Sequence, residues 1–202
     1  MCFAPALEIQ MEALFISTGV VALAEIGDKT QLLAFILAAR FKKPLPIILG
    51  ILCATIVNHG LAGALGAWIT SALGGETLRW ILGASFIAMA IWTMIPDKIE
   101  EEETQVAKHL GVFGATLITF FLAEMGDKTQ IATVALAAKF ADPVLVVIGT
   151  TLGMLIADVP AVFVGDRFAA KIPMKLVHSI AAGIFAILGI ATMAGAGKSF
   201  GF

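Results

Sequence analysis

Charge is scarce in this sequence. Of its 202 residues 14% are Asp, Glu, Lys or Arg and 59% are apolar, whereas soluble domains carry about a quarter charged and roughly half apolar residues. A basic excess is missing: 13 Lys and Arg stand against 15 Asp and Glu, the net charge is −2 and the pI is near 5.9. That excludes the basic face nucleic-acid binding requires. Cysteine is almost absent, with Cys2 and Cys53 in no CxxC spacing. Neither a disulfide framework nor a thiolate metal site is therefore indicated. No long polar stretch occurs, so a sizeable extramembrane domain is excluded too. What remains is apolar, with a mean hydropathy of +0.98. At about 20 apolar residues per spanning helix, that content makes roughly six spans and little else. The chain reads as an all-α membrane protein whose largest partner is the lipid bilayer.

Residues 1–10 carry no Lys or Arg, so a secretory n-region is missing. Met11 would serve equally well as a start, and residues 1–10 are read as an N-terminal extension without a role. Charges and Pro/Gly clusters divide the rest into six predicted spans, near 13–39, 45–70, 78–95, 111–138, 143–165 and 175–195. The longest connection, 96–109, contains Glu100 to Glu103 and reads as an acidic, solvated cytoplasmic loop. Loops one, three and five hold Arg40, Lys42, Lys43, Lys98, Lys108, Arg167, Lys171 and Lys175; the other connections and the C-terminus hold Arg79, Lys139 and Lys198. That bias puts the odd loops in the cytoplasm and both termini outside.

The chain repeats itself. Leu23-Ala24-Glu25-Ile26-Gly27-Asp28-Lys29-Thr30-Gln31 returns 99 residues later as Leu122-Ala123-Glu124-Met125-Gly126-Asp127-Lys128-Thr129-Gln130, with eight of nine residues identical. The same offset pairs Pro44 with Pro143, Gly50 with Gly149, Phe86 with Phe185 and Met94 with Met193. Residues 11–95 and 110–202 are thus two copies of a three-helix unit. A unit with an odd number of spans reverses direction on duplication, so the expected fold is six transmembrane helices in two inverted repeats.

The repeated motif puts acids where they are costly. Glu25 lies about 18 Å into its predicted span, near the middle of a ~30 Å hydrocarbon core, and Glu124 is placed alike. A buried ionised carboxylate costs at least ~2.5 kcal/mol there, so Glu25, Asp28, Glu124 and Asp127 need compensation. On a continuous helix Glu25 and Asp28 share a face, as do Glu124 and Asp127. Thr30, Thr129, Gln31 and Gln130 add further oxygens. Gly27 and Gly126 would permit a kink or close approach of a facing helix. Such a cavity suits a hard divalent cation, Mg²⁺, Ca²⁺ or Mn²⁺. Lys29 and Lys128 are read as charge-balancing partners of the acids, and a purely structural ion-pair lock is the plain alternative. Deeper in the spans, His59 aligns with Asp158 at the same offset. Asp158 is a candidate ligand, and Asp28, Asp127, Asp158 and His59 are candidate proton carriers. Asp166, Arg167 and His178 read as ordinary charges near span ends.

Two Glu-x-Gly-Asp-Lys/Arg-Thr/Ser motifs in a duplicated chain resemble the cation/proton exchanger family that includes Golgi, chloroplast-envelope and bacterial manganese transporters. The resemblance runs from Met11 onward, and both motifs match in full. It implies movement of Mn²⁺, in some members also Ca²⁺, in exchange for protons. Without the long extension of organelle-targeted members, the chain resembles a bacterial Mn²⁺ exporter of the inner membrane. The expected mechanism is that cytosolic Mn²⁺ displaces protons from the four acids, the repeats rock, and external protons reload the site. Moving a +2 charge outward against an inside-negative potential costs ~4.6 kcal/mol per 100 mV, and two returning protons cancel it. No cofactor and no enzymatic activity are expected. A Ca²⁺/H⁺ exchanger and a passive divalent cation channel use the same oxygens and stay open as alternatives.

Overall fold

The computed structural model describes residues 4–95, 110–164 and 174–195. The acidic loop 96–109, Asp166, Arg167, Lys171 and Lys198 lie outside the described residues, and with them much of the charge bias between loops. Among the described residues the chain is all helical: α1 Ala4–Glu25, α2 Lys29–Phe41, α3 Pro44–Ala72, α4 Gly75–Thr93, α5 Gly111–Glu124, α6 Lys128–Phe140, α7 Pro143–Val164 and α8 Met174–Met193. Helix α1 begins within the ten residues set aside above. The starts of α2, α3 and α4 recur 99 residues later in α6, α7 and α8. The duplication therefore extends from sequence to element boundaries.

The first and fourth predicted spans are not continuous. Each is two helices, α1–α2 and α5–α6, separated by Ile26-Gly27-Asp28 and Met125-Gly126-Asp127. Gly27 and Gly126 have φ of 84° and 79°, a region that costs a residue with a Cβ about 1–2 kcal/mol. Asp28 and Asp127 are extended N-caps of the second helices. In each break the glutamine three residues on reaches back, its Oε1 accepting from Gly27 N at 3.0 Å or Gly126 N at 2.7 Å. Asp28 N donates to Glu25 O at 3.0 Å, and Asp127 N to Glu124 O at 3.1 Å. Backbone groups freed by the break thus find partners, as buried backbone polar groups must. Acids expected on one face of a helix stand instead on either side of a turn.

Among the described residues three helices are long and apolar enough to cross a membrane, Pro44–Ala72, Pro143–Phe163 and Lys175–Met193. The half-helices α2 and α5 are about 20 Å long and too short to cross alone. Phe15, Leu45, Trp68, Ile91, Val144, Phe163 and Ile187 are exposed while the acids of both motifs are buried, the distribution a lipid environment favours. The repeats interlock: α1 packs on α7, and its equivalent α5 packs on α3. Glycines set these approaches in matched pairs. A Cβ on Gly50 of α3 would stand 2.7 Å from Thr116 Cβ, and one on Gly149 of α7 would stand 2.7 Å from Leu14 O and 3.0 Å from Ser17 Cβ. Ser17 and Thr116 are themselves 99 apart. Small residues bring the helix axes close enough for both motifs to meet.

Candidate functional site

Because each helix stops at its glutamate and restarts after its aspartate, four carboxylates from two motifs converge. Glu25, Glu124 and Asp127 each offer an oxygen, and the three atoms lie within 4.8 Å of one another. All three residues are buried, and Glu25 Oε1, Glu124 Oε2 and Asp127 Oδ2 have no hydrogen-bond partner among the described residues. Oxygens on opposite sides of a cation bound at about 2.1–2.6 Å stand about 4–5 Å apart, so one ion can touch all three. Carboxylates this close and this dry repel, and a cation or protons must neutralise them. The oxygen donor set suits Mg²⁺, Ca²⁺ or Mn²⁺ better than a soft metal.

The other motif residues brace these acids. Thr30 donates its hydroxyl proton to Glu25 Oε2, and Thr129 to Glu124 Oε1. The amide oxygens of Gln31 and Gln130 are taken by the glycine N–H groups of their breaks. Their Nε2 groups donate to Ala157 O at 2.9 Å and toward Asn58 Oδ1 at 3.4 Å, tying each break to a helix of the other repeat. Ala157 and Asn58 are again 99 apart.

Each motif lysine meets the aspartate of the other repeat. Lys128 Nζ lies 2.6 Å from Asp28 Oδ1, with both side chains 1% exposed. Lys29 Nζ lies 3.9 Å from Asp127 Oδ1. Hence the acid of the second break joins the triad, and that of the first is held by a lysine.

Two further predicted residues line the same region. Asp158 of α7 is fully buried with neither oxygen hydrogen-bonded among the described residues. Its equivalent, His59 of α3, is fully buried with Nε2 3.5 Å from Glu124 Oε1. Glu25, Asp28, Glu124, Asp127 and Asp158 are thus five buried carboxyls, and Lys29 and Lys128 pair with two of them. Two contacts escaped the sequence reading. Asn58 Nδ2 donates to Phe121 O at 3.1 Å, anchoring the end of α5; its place beside His59 was the available signal. His178 of α8 has Nε2 3.1 Å from Ile26 O in the first break. A carbonyl only accepts, so that nitrogen carries the hydrogen. Nothing in the spacing pointed to this contact.

Comparison with known proteins gives the family of the chain. A family model described as "Divalent cation/proton antiporter GDT1" matches residues 13–101 and 112–199. A protein of Vibrio cholerae named "Putative manganese exporter" is 50% identical over 183 residues, covering 90% of each chain. "GDT1-like protein 3" of Oryza sativa subsp. indica is 29% identical over 199 residues, 86% of this chain and 71% of the relative. "GDT1-like protein 5" of Arabidopsis thaliana is 26% identical over 208 residues, 85% and 90% of the two chains. No solved structure matches.

Proposed function

Because the chain belongs to the GDT1 family of divalent cation/proton antiporters, we propose that it exports Mn²⁺ from the cytoplasm in exchange for protons. The observation that carries this is the triad of Glu25, Glu124 and Asp127, three buried carboxylates from two repeats within 4.8 Å. In this reading the six spans form inverted repeats in a bacterial inner membrane, with both termini outside and the ion site near the midplane. The name borne by the Vibrio cholerae relative supports manganese as cargo, and the hard oxygen set is compatible with it.

Glu25, Glu124 and Asp127 bind the dehydrated ion in this scheme, Thr30 and Thr129 orient the two glutamates, and Gln31 and Gln130 hold the breaks open. Asp158 and His59, buried beside the glutamates, are the groups through which protons reach the site. Exchange follows from charge: the cluster holds more carboxyls than lysines, so an ion that leaves must be replaced by protons before the acids can be buried again. No chemistry on the cargo is involved, and no catalytic role is assigned.

The test is flux. Purified protein in liposomes with an imposed pH gradient should move Mn²⁺ against Ca²⁺ and Mg²⁺ competitors, and Asp127→Asn should abolish the movement while still inserting. Flux indifferent to the gradient would mean a channel or uniporter, and absence of divalent flux would overturn the transport reading.

A further inference from the structure

The two motifs are nearly identical in sequence and unlike in geometry. Lys128 holds Asp28 at 2.6 Å, whereas the equivalent pair, Lys29 and Asp127, stands at 3.9 Å with Lys29 17% exposed. The acids differ in the same sense: Asp127 stands with Glu25 and Glu124 in the triad, and Asp28 does not. The backbone differs too. Met125 and Gly126 of the second break are exposed, while Ile26 and Gly27 of the first are half-buried, with His178 over the Ile26 carbonyl. These asymmetries coincide. The aspartate gripped by the opposite lysine is outside the triad and its break is half-buried; the aspartate loosely held is inside it and its break is exposed.

We propose that Lys128 and Lys29 are alternating internal counter-cations that decide which aspartate completes the ion site. In the conformation described here Lys128 holds Asp28, and Glu25, Glu124 and Asp127 bind the ion. In the conformation facing the other side of the membrane Lys29 holds Asp127, and Glu25, Glu124 and Asp28 bind it. The inference rests on the transport reading above and extends it to positioning residues.

The two conformations are degenerate. Exchanging the repeats maps Glu25 onto Glu124, Asp28 onto Asp127 and Lys29 onto Lys128, so the second conformation uses the same side chains in the same chemistry. Each conformation buries one closed lysine–aspartate pair and one three-acid site. Neither therefore carries a charge penalty the other lacks, as a carrier that visits both must arrange. A closed pair cannot open alone, because that would strand a buried carboxylate; its opening has to accompany closure of the other. Lysine suits this role, since its compact charge rides on a flexible four-carbon stem.

Hydrogen–deuterium exchange read by mass spectrometry tests this on the full chain in lipid nanodiscs, with neither metal nor pH gradient. The reporters are peptides spanning residues 23–31 and 122–130. Lys128→Gln removes the pair that closes the present conformation. It should speed exchange at 23–31 and slow it at 122–130, each on the order of tenfold. Lys29→Gln should do the reverse. Lys→Arg at either position should restore the wild-type pattern. Asp28→Asn should act like Lys128→Gln and Asp127→Asn like Lys29→Gln, and this second pair decides if the lysine variants do not fold. Faster exchange at both breaks in every variant, as simple loss of a structural ion pair gives, would overturn the proposal, and so would no change at either. Neither metal nor gradient enters, so failure of Mn²⁺ flux in liposomes remains separable from failure of the lysine exchange.

Discussion

Phe86 and Phe185 occupy the same place in the two repeats, 99 residues apart, and stack on each other with ring centroids 6.5 Å apart and planes at 25°. Both are fully buried where α4 meets α8. Gly83 and Gly189 bring these helices together, since a Cβ on Gly83 would fall 2.3 Å from Met193 Cγ and one on Gly189 3.0 Å from Gly83 O. Truncating Phe185 to Ala should empty this contact. In soluble cores that costs about 3–5 kcal/mol, but lipid is itself apolar and leaves mainly the packing term. A loss of about 1–3 kcal/mol is expected, read as a lower unfolding midpoint in micelles. An unchanged midpoint would mean that α4 and α8 do not depend on this pair.

Gly126 isolates the cost of backbone conformation. A Cβ there would meet nothing within 4 Å, yet its φ is +79°. Gly126→Ala therefore adds no clash and only the strain of a left-handed residue, about 1–2 kcal/mol. The expected outcome is a folded protein with reduced divalent flux, because the break that positions Glu124 and Asp127 is disfavoured. Wild-type flux would show that the turn tolerates a Cβ.

Two glycines of α3 should respond in opposite directions. A Cβ on Gly66 would lie 2.5 Å from Val134 O and 2.8 Å from Ala137 Cβ, whereas one on Gly60 meets nothing within 4 Å. Gly66→Ala must push α6 away and should destabilise strongly, since the nearest neighbour is backbone. Gly60→Ala relieves a helix interior of glycine and should stabilise by about 0.5–1 kcal/mol. Thermal unfolding of the two variants side by side checks the order, and equal effects would contradict the close contact of α3 with α6.

Much of this could be read in the residues, and the misses have physical reasons. Duplication at an offset of 99 anticipated the equivalent starts of α2 and α6, α3 and α7, α4 and α8, because each boundary is set locally by Pro, Gly or Asp. Hydropathy passed over the breaks, since three residues vanish in a window as long as a span. The local signal was Asp28-x-x-Gln31 and its copy Asp127-x-x-Gln130, the pattern that opens a helix. Burial of the four motif acids was evident from their place within apolar segments. Which lysine meets which aspartate was not, because the pairs cross between repeats and spacing along the chain carries no such information. His178 against Ile26 is likewise a contact between distant segments.

In the proposed site, the hydroxyls beside the glutamates would separate an ion's ligands from the groups that aim them. Thr30 and Thr129 each donate to the glutamate five residues earlier, fixing one oxygen and leaving the other without a hydrogen-bond partner among the described residues. Loss of such a supporting partner typically weakens metal binding about 10- to 100-fold, and loss of a ligand should cost at least about a hundredfold. Thr133 provides the control, since among the described residues its hydroxyl bonds only Thr129 O, at 2.8 Å along its own helix. Mn²⁺ titration of the purified protein, followed by the paramagnetic spectrum of the free ion, should rank the variants. Glu25→Gln should bind least, Thr30→Val should be intermediate, and Thr133→Val should match wild type. Were Thr30→Val as damaging as Glu25→Gln, the hydroxyl would itself be a ligand. Were it silent, the glutamate would hold its orientation without it, and Gln31 bracing Gly27 would remain as the support of the first break.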